Sequence, residues 1–535
     1  METVLVDTRT GALSLMKTAF LIFIAVTLTF GMSVKGGFVV DDKLWAAREN
    51  AGDAFSSPKT LFTSWGFTGT SLRQNGPPLY RPLGHFISNV FHYLVGPNPA
   101  AYHLFSLTTH YINSLLVFAL IGALLPALPW SSRLAAALAF AVHPALTEAV
   151  AWISSINELQ MTVCVLSAML CYIHWRKTER GRWLAAALLF SLAGVMIKEG
   201  ALSFVIILFA YDWLRTKTIP WQAVSLVGSC FLLFLILRFL VIGSNTGGLQ
   251  ISFNLWRVGE FLLAHLRYLF IPGQQPFSMA PPELPLAGKA SLYATAVLLL
   301  IAAWWASRQS ANIKSFFVFT ATWIFVALWP AYAIALIESG YFAARHIYLP
   351  AVGWALALAG IVAAMPARTL ITTLCLLLGV LVMAPFSFQG VKAWRTDSAV
   401  YQRATEISPN YEGPWLGLGN ALIDAKEMDR AAAIFRMLLA REPKPALRRD
   451  CLYSLALISA QTGQTPMSNQ YLEELIRFEP GYAPAWVGLG NNAWLAGQFT
   501  AAIKHYRHAL TLDPQNFEAS QNLLTLQNTI RVRLN

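Results

Sequence analysis

Long apolar runs dominate this chain and constrain its fold more than any other feature. Eleven of them are long enough to cross a bilayer as helices, some with help from their flanks, near residues 18–34, 104–125, 133–150, 158–175, 183–197, 200–214, 221–242, 290–306, 315–335, 348–365 and 369–388. Because 56% of the residues are apolar and only 12% are charged, a wholly soluble protein is excluded. We therefore predict a polytopic, all-helical membrane domain.

Basic residues indicate how these runs are oriented. The first run follows Arg9 and Lys17 and lacks a small-residue cleavage site, which favours an uncleaved helix with a cytoplasmic N-terminus over a signal peptide. Alternate connections then carry the basic residues that the positive-inside rule requires, namely Arg133, Arg176, Lys177, Arg180, Arg182, Arg215, Lys217, Arg308, Lys314 and Arg368. These loops explain the net charge of +12, so we predict no nucleic-acid partner. An odd number of spans places the C-terminus outside.

Two regions between the runs need a separate interpretation. Segment 255–271 is apolar but holds Arg257, Glu260, His265 and Arg267, so we expect an interfacial or re-entrant helix rather than a span. Residues 36–103 form a first outer loop that is long enough to hold structure of its own. Residues 1–389, including this loop, are the predicted transmembrane domain.

The C-terminal part repeats itself. Charged residues become nearly twice as frequent after about Gly390, and prolines 409, 443, 480 and 514 close units at intervals of 34, 37 and 34 residues. The last unit has the spacing of a tetratricopeptide repeat, with Trp486, Leu489, Gly490, Gly497, Ala502, Tyr506, Ala509 and Pro514. We predict a tetratricopeptide-repeat α-solenoid over residues 390–535, with 515–531 as a capping helix, on the non-cytoplasmic side. Such stacks bind peptides or proteins on their concave face.

Two adjacent carboxylates, Asp41 and Asp42, follow the first predicted span. Partial desolvation at a membrane surface raises the basicity of a carboxylate, so the pair could act as a general base or bind a divalent cation. The alternative is a solvated loop start with a helix-capping aspartate. No spacing in the chain requires a metal.

Several cations could bind a phosphate. Pro82 keeps Arg81 in an extended conformation, although a loop arginine could equally pair with lipid headgroups. Lys198 and Glu199 lie between two short runs and either pair with each other or face a cavity. Arg345 and Tyr348 precede the tenth run, where they could also serve as interfacial anchors.

The other candidate side chains accompany these groups. His143 precedes Pro144 and is interpreted first as a hydrogen-bonded helix end; the further candidates are His103, Glu148, Glu199 and His346. In the predicted topology all of these side chains lie at the outer face, which suits transfer from a phosphate-bearing lipid. The sequence contains no Walker A loop and no dinucleotide fingerprint, and we expect no organic cofactor.

Four sequence blocks carry a family resemblance. They are Tyr80-Arg81-Pro82-Leu83 through Tyr102-His103-Leu104, the run from His143 to Ile153, Lys198-Glu199-Gly200, and Arg345-x-x-Tyr348-Leu349-Pro350. With the repeats, they resemble the transmembrane and tetratricopeptide-repeat O-mannosyltransferase family and its bacterial relatives. The chain departs from the family pattern at Ile156-Asn157-Glu158, which replaces a commoner basic-acidic pair.

This resemblance implies a C-type glycosyltransferase fold and a polyprenyl-phosphate sugar donor used on the outer side of the membrane. It implies that Asp41 or Asp42 is the base that activates an acceptor hydroxyl, and that Arg81, Lys198 and Arg345, with Tyr348, bind the donor phosphate. The repeats would hold a protein acceptor. We expect a bacterial inner-membrane protein with periplasmic repeats. The alternative is a non-catalytic, membrane-anchored scaffold for envelope assembly.

Overall fold

The computed structural model describes residues 2–43, 80–242, 254–271, 286–336 and 342–534. Every regular element in these ranges is a helix, which confirms the all-α class for the described part of the chain. The chain divides into two compact units, Met1–Val400 and Tyr401–Asn535.

The first unit contains the apolar helices. They are α1 (Glu2–Phe30), α2 (Pro82–Val95), α3 (Pro99–Leu124), α4 (Trp130–Ala141), α5 (Thr147–Ala151), α6 (Ile156–Thr178), α7 (Gly181–Ile197), α8 (Phe204–Tyr211), α9 (Trp221–Ile242), α10 (Leu255–Phe270), α11 (Leu286–Ser307), α12 (Ala311–Ala327), α13 (Trp329–Ala335), α14 (Tyr348–Ala363) and α15 (Thr369–Ala393). Helix α1 packs against α3, α4 and α15, whereas α6 lies against α3 and α7. Helix α14 packs against α12 and α4.

Fewer of the described helices are long and apolar enough to span a membrane than the sequence suggests. Among the described residues, seven helical segments are long and apolar enough to cross a membrane: Leu13–Lys35, Pro99–Leu124, Ile153–Thr178, Trp221–Val241, Ala311–Ala335, Ala344–Ala363 and Pro366–Ala393. An eighth results if α4 and the segment Pro144–Ala151, which are bent by 47°, count as one span. Gly181–Ile197 and Tyr293–Ser307 are shorter apolar helices. The run at 200–214 contains an α-helix of only 8 residues. All eleven runs are thus helical, but eleven full spans are not reached.

Six short 3-10 turns lie in the described part of this unit. They are Gly31–Lys35, Pro144–Leu146, Ile153–Ser155, Glu199–Ser203, Ala344–Ile347 and Pro366–Arg368. Interrupted helices at membrane depth are tolerated where the backbone is buried in protein or lines a cavity. Three of the breaks lie at or beside predicted site residues, namely His143, Glu199, and the pair Arg345 and His346.

The second unit consists of paired helices. After α16 (Asp397–Ile407) the chain forms α17 (Glu412–Asp424), α18 (Met428–Leu439), α19 (Pro445–Gln461), α20 (Thr465–Phe478), α21 (Ala483–Leu495), α22 (Phe499–Leu512) and α23 (Phe517–Leu534). Two glycines at equivalent repeat positions allow the partners of a pair to approach. A Cβ on Gly419 would lie 2.6 Å from the ring of Phe435, and one on Gly490 would lie 2.5 Å from that of Tyr506. Both rings are fully buried.

Candidate functional site

The loop after α1 brings the two predicted acids into different environments. Asp42 is fully buried, and its Oδ1 accepts hydrogen bonds from the backbone N–H (2.8 Å) and the Oγ (2.6 Å) of Ser154. Its Oδ2 accepts a third hydrogen bond, at 3.2 Å, from the N–H of Val39. Burial raises the pKa of Asp42 to about 7, against the opposing effect of these hydrogen bonds. Asp42 is therefore fixed in place.

Asp41 is the freer of the two carboxylates. Its side chain is exposed, and among the described residues it has no hydrogen bond and no ion pair. The surrounding protein still raises its pKa by desolvation, while the nearby positive charge of Arg345 lowers it. Asp41 can therefore accept a proton from a bound molecule without breaking a contact of the fold.

Lys198 pairs with a carboxylate that the sequence analysis did not single out as a site residue. Its Nζ lies 2.5 Å from Oε1 of Glu158, and Nδ1 of His346 lies 3.2 Å from the same oxygen. All three side chains are buried. Burial lowers the pKa of Lys198, and Glu158 partly offsets this effect. The sequence did contain a signal for Glu158, because a carboxylate within an apolar helix usually has a function.

Of the two alternatives for Lys198 and Glu199, a mutual ion pair does not occur among the described contacts, whereas Glu199 does line a cavity. Glu199 instead forms a two-pronged ion pair with Arg81, with Nε–Oε2 at 2.9 Å and Nη2–Oε1 at 2.5 Å. The backbone of Lys198 is extended and a 3-10 turn begins at Glu199, so the two neighbouring side chains diverge. Burial opposes the charge of Glu199, but Arg81 holds the pKa of Glu199 well below its usual value.

Arg345 is held by a carboxylate and an aromatic stack. Its Nη1 lies 3.0 Å from Oε1 of buried Glu148, and its guanidinium lies 5.1 Å from the ring centroid of Trp152. Trp152 in turn stacks on Trp394, with centroids 5.3 Å apart. These contacts orient a cation close enough to Asp41 to affect its pKa.

Ion pairs bring the three predicted cations together. Lys198 and His346, the neighbour of Arg345, share Oε1 of Glu158, and Arg81 binds Glu199, the neighbour of Lys198. Burial alone would lower the pKa of Arg81, Glu199 raises it above its usual value, and Arg345 contributes an opposing effect. The positive charges of Arg81 and Arg345 also lower the pKa of Lys198. Residues far apart in sequence thus form one charged cluster, and Arg345 links it to Asp41.

Three other predicted residues have structural contacts. Tyr348 is fully buried, and its hydroxyl lies 2.7 Å from Nδ1 of His110. Among the described hydrogen bonds, none joins this hydroxyl to the charged cluster. His143 caps the turn at the α4 break, since its Nδ1 accepts the N–H of Ala145 at 3.1 Å. His103 is buried and packs against the loop that follows α1. The contact is close, because a Cβ added to Gly36 of this loop would lie 3.0 Å from Nε2 of His103.

Two adjacent cavities lie beside the cluster. The smaller one, of about 280 Å³, is lined by Tyr80, Glu199 and Arg238 and by apolar residues that include Phe234. An apolar groove of about 630 Å³ runs between α8, α10, α12 and α13. Leu202 and Trp329 line both cavities, so the two are neighbours. Arg238 was not predicted as a site residue, and no described side chain forms an ion pair with it.

A metal site is not evident in the part of the chain that the structure describes. No group of three His, Cys, Asp or Glu side chains there is arranged to hold a metal ion. The described site is therefore built from ion pairs, one fixed carboxylate and one free carboxylate.

Comparisons with known proteins bear first on the C-terminal unit. Residues 398–449 and 483–516 match models of the tetratricopeptide repeat family. Both segments are tetratricopeptide repeats. The prediction of these repeats from the proline and glycine spacing is confirmed for the matched residues. Among solved structures, one similar chain comes from the crystal structure of APC/C hetero-tetramer Cut9-Hcn1. The match covers 94% of this chain and 98% of that chain at 11% sequence identity. Its TM-score of 0.23 is too low to show a shared fold.

Sequence relatives extend the comparison. Protein O-mannosyl-transferase Tmtc2 of Drosophila melanogaster is 35% identical over 188 residues, which are 34% of this chain and 20% of that protein. Tmtc1 of the same organism is 31% identical over 33% of this chain and 20% of its own length. Human TMTC3 is 31% identical over 37% of this chain and 22% of its own length. The chain thus spans about a fifth of the length of the relatives it matches, and they support the resemblance over part of the chain.

Proposed function

We propose that this protein is a membrane glycosyltransferase that moves a sugar from a polyprenyl-phosphate donor to a hydroxyl group of a protein acceptor. The observation that carries the proposal is Asp41, an exposed carboxylate without a described partner, beside the oriented cation Arg345. The similarity to proteins named protein O-mannosyl-transferase supports the same chemistry and suggests mannose as the sugar. The tetratricopeptide repeats would hold the acceptor polypeptide.

In this reaction Asp41 is the general base. Its carboxylate accepts the proton of the acceptor hydroxyl while the hydroxyl oxygen attacks the anomeric carbon of the sugar. The bond between that carbon and the phosphate oxygen breaks, and its electron pair leaves with the polyprenyl phosphate. One displacement inverts the configuration at the sugar. Asp42 does not exchange protons with substrate and instead fixes the loop.

Arginine and lysine side chains stabilise the phosphate as it leaves. Fixed cations lower the energy of a transition state in which negative charge develops, because they do not need to reorganise during the reaction. Arg345 is the cation nearest to Asp41 in this mechanism. Arg81 can also contribute, since its bonds to Glu199 use Nε and Nη2 and leave the third guanidinium nitrogen, Nη1, outside this ion pair. Lys198, paired with Glu158, supplies positive charge behind them.

The two adjacent cavities give the donor a place to lie. The apolar groove suits a polyprenyl chain, and the smaller cavity, with Tyr80 and Arg238, is lined by Glu199, the partner of Arg81. An arginine without a described ion-pair partner is a suitable contact for a phosphate that moves towards the reaction centre. In this arrangement the lipid would enter from the membrane between α10 and α13.

The proposal includes the predicted topology. The three runs too short or too irregular to count as full spans, in α7, α8 and α11, would cross a membrane that is locally thinned around the protein. Eleven crossings then put the charged cluster and the repeats on the outer side. We propose that this membrane is a bacterial inner membrane and that the repeats are periplasmic.

The decisive experiment compares the two neighbouring acids. The full chain is reconstituted in liposomes with radiolabelled polyprenyl-phosphate mannose and acceptor peptides, and transfer is measured with and without a chelator of divalent cations. Loss of the base in Asp41→Asn should reduce transfer by about 10²–10⁴-fold. Asp42→Asn should retain most activity, because the asparagine Oδ1 still accepts the hydrogen bonds of Ser154. Asp429→Asn, on an exposed helix face, is the matched control. Undiminished transfer by Asp41→Asn would refute the mechanism.

A non-catalytic scaffold remains the competing function. It is favoured by one observation, which is that Arg81, Lys198 and Arg345 each pair with a carboxylate, as a purely structural network also requires. The scaffold predicts no transfer by the wild-type protein and unchanged co-purification of envelope proteins with Asp41→Asn. The enzyme predicts the opposite result in the transfer assay.

A further inference from the structure

Val40, directly before the proposed base, has a strained backbone. Its φ is +52°, in the left-handed region, which a β-branched residue adopts only rarely because its side chain collides with the backbone there. Such strain persists only where surrounding contacts impose it, and it tends to occur at functional sites. The contacts that impose it here come from a segment more than 350 residues away in sequence.

Asp397, the first residue of α16, makes two of these contacts. Its Oδ1 accepts a hydrogen bond from the N–H of Val40 at 2.7 Å, and its Oδ2 lies 2.6 Å from Nζ of Lys43. The backbone N–H of Gly37 also donates to the carbonyl oxygen of Arg395 at 3.0 Å. Asp397 is nearly buried, with 14% of its side chain exposed. The segment 395–397 therefore holds the loop on both sides of Asp41.

A second attachment fixes the same loop from another direction. Asp42 is bound to Ser154 at the start of α6 and to the N–H of Val39 within the loop. With Val40 held by Asp397 and Asp42 held by Ser154, the residue between them is the one whose side chain has no described partner. The loop is thus fixed on both sides of Asp41 and leaves its carboxylate available.

We propose that Asp397 is a positioning residue for Asp41: by holding Val40 at positive φ, it fixes the backbone that carries the Asp41 carboxylate. This inference rests on the proposed transfer reaction. Without Asp397, Val40 can relax to a negative φ, which rotates the following peptide and moves the Asp41 carboxylate away from the reaction centre. The substrate sites do not include Asp397, so loss of the residue should lower kcat and leave KM for donor and acceptor unchanged.

The first test measures the loop itself and does not depend on activity. Hydrogen–deuterium exchange of the full chain in detergent is followed by mass spectrometry for peptides that cover residues 36–43. Asp397→Ala should accelerate exchange of the Val40 amide, because that amide loses its acceptor. Asp397→Asn should leave exchange slow, since the asparagine oxygen can accept the same hydrogen bond. Equal exchange in wild type and Asp397→Ala would overturn the inference.

The second test measures transfer in liposomes with the same variants. A small displacement of a catalytic group costs up to about 100-fold, so Asp397→Ala should lower kcat by about 10–100-fold with KM unchanged. Asp397→Asn should remain within about threefold of wild type, because Val40 keeps its acceptor. Asp429→Ala is the control for loss of a carboxylate elsewhere in the chain.

A rescue variant separates positioning from general loss of structure. Glycine adopts positive φ without steric strain, so Val40→Gly in the Asp397→Ala background should recover part of the lost kcat. Absence of rescue, or a drop confined to KM, would overturn the positioning role. If the wild-type protein transfers no sugar, the proposed function fails, and the exchange experiment alone then decides whether Asp397 holds the loop.

Discussion

Replacing Asp42 by Asn should remove one component of the pH dependence of stability, in which the free energy of unfolding falls as the pH rises from about 4 to about 7. The folded state raises the pKa of Asp42 from 3.8 to about 7 because the carboxyl is fully buried. At about 1.4 kcal/mol per pKa unit, this shift corresponds to about 4 kcal/mol. The full value of about 4 kcal/mol applies, because the buried Asp42 carboxyl has no exposed surface at which solvent could screen its charge.

The direction of the effect follows from proton binding. Between the two pKa values the folded protein keeps the proton of Asp42 while the unfolded chain loses it. The contribution of Asp42 to stability is therefore fully present below about pH 4 and is lost as the pH rises towards 7. Asn at this position resembles the protonated acid and has no proton to lose, so its contribution should not change with pH.

The assay is unfolding of the purified full chain in detergent, followed by tryptophan fluorescence at pH values from about 5 to about 8. The slope of the free energy of unfolding against pH is compared between wild type, Asp42→Asn and the surface control Asp429→Asn. The substitution also changes the hydrogen bonds at residue 42, but this effect on stability does not vary with pH. Comparing slopes therefore removes it. If wild type gains stability relative to Asp42→Asn as the pH rises, the hydrogen bonds of Ser154 and Val39 outweigh burial, and the reasoning is refuted.

Three further outcomes are expected. Glu158→Gln should destabilise the protein by about 3–5 kcal/mol, because it leaves the buried charge of Lys198 unpaired, and thermal unfolding in detergent measures this. Gly490→Ala should destabilise the repeats by about 1–3 kcal/mol through overpacking, since the new methyl group meets the ring of Tyr506; circular dichroism of the full chain follows the loss. Sugar transfer should fall at acidic pH with an apparent pKa above 3.8, as Asp41 becomes protonated, which a pH series of kcat/KM detects.

Each of these expectations has a control. Adding Lys198→Met to Glu158→Gln should recover part of the stability, whereas no recovery would mean that the pair is not coupled. Gly481→Ala is the match for Gly490→Ala, because a Cβ at Gly481 meets no atom within 4 Å. A rate that stays constant down to about pH 4 would contradict the role of Asp41 as base.

The helices and repeats were predictable because their signals are local. An apolar run, or a glycine four residues after a tryptophan, carries its information within one or two turns of helix. Gly490 shows this directly, since its place in the repeat spacing already requires a close approach. Span count was less predictable, because whether a run such as 200–214 forms one continuous helix depends on interruptions that apolar composition does not reveal.

The candidate site depends on partners distant in sequence, and this is where sequence reasoning fell short. Lys198 and Glu199 are adjacent, yet their partners are 40 and 118 residues away. The hydrogen bond between the N–H of Val40 and the side chain of Asp397 joins residues that are 357 positions apart in sequence. A single sequence does not show which charged side chains pair in the fold. The charged site residues were therefore predicted, but their ion-pair partners were not. Which of Asp41 and Asp42 is free was likewise decided by Ser154, whose polar side chain gave no signal in the sequence.

The balanced pairing of Arg81 with Glu199, Lys198 with Glu158, and Arg345 with Glu148 has a consequence for turnover. Three positive and three negative charges balance in the resting cluster, so an incoming phosphate must compete with a carboxylate for each cation. In the proposed reaction the same competition follows transfer, because each carboxylate can pair with its cation again. This competition favours release of the lipid phosphate and returns the site to the state that receives the next donor.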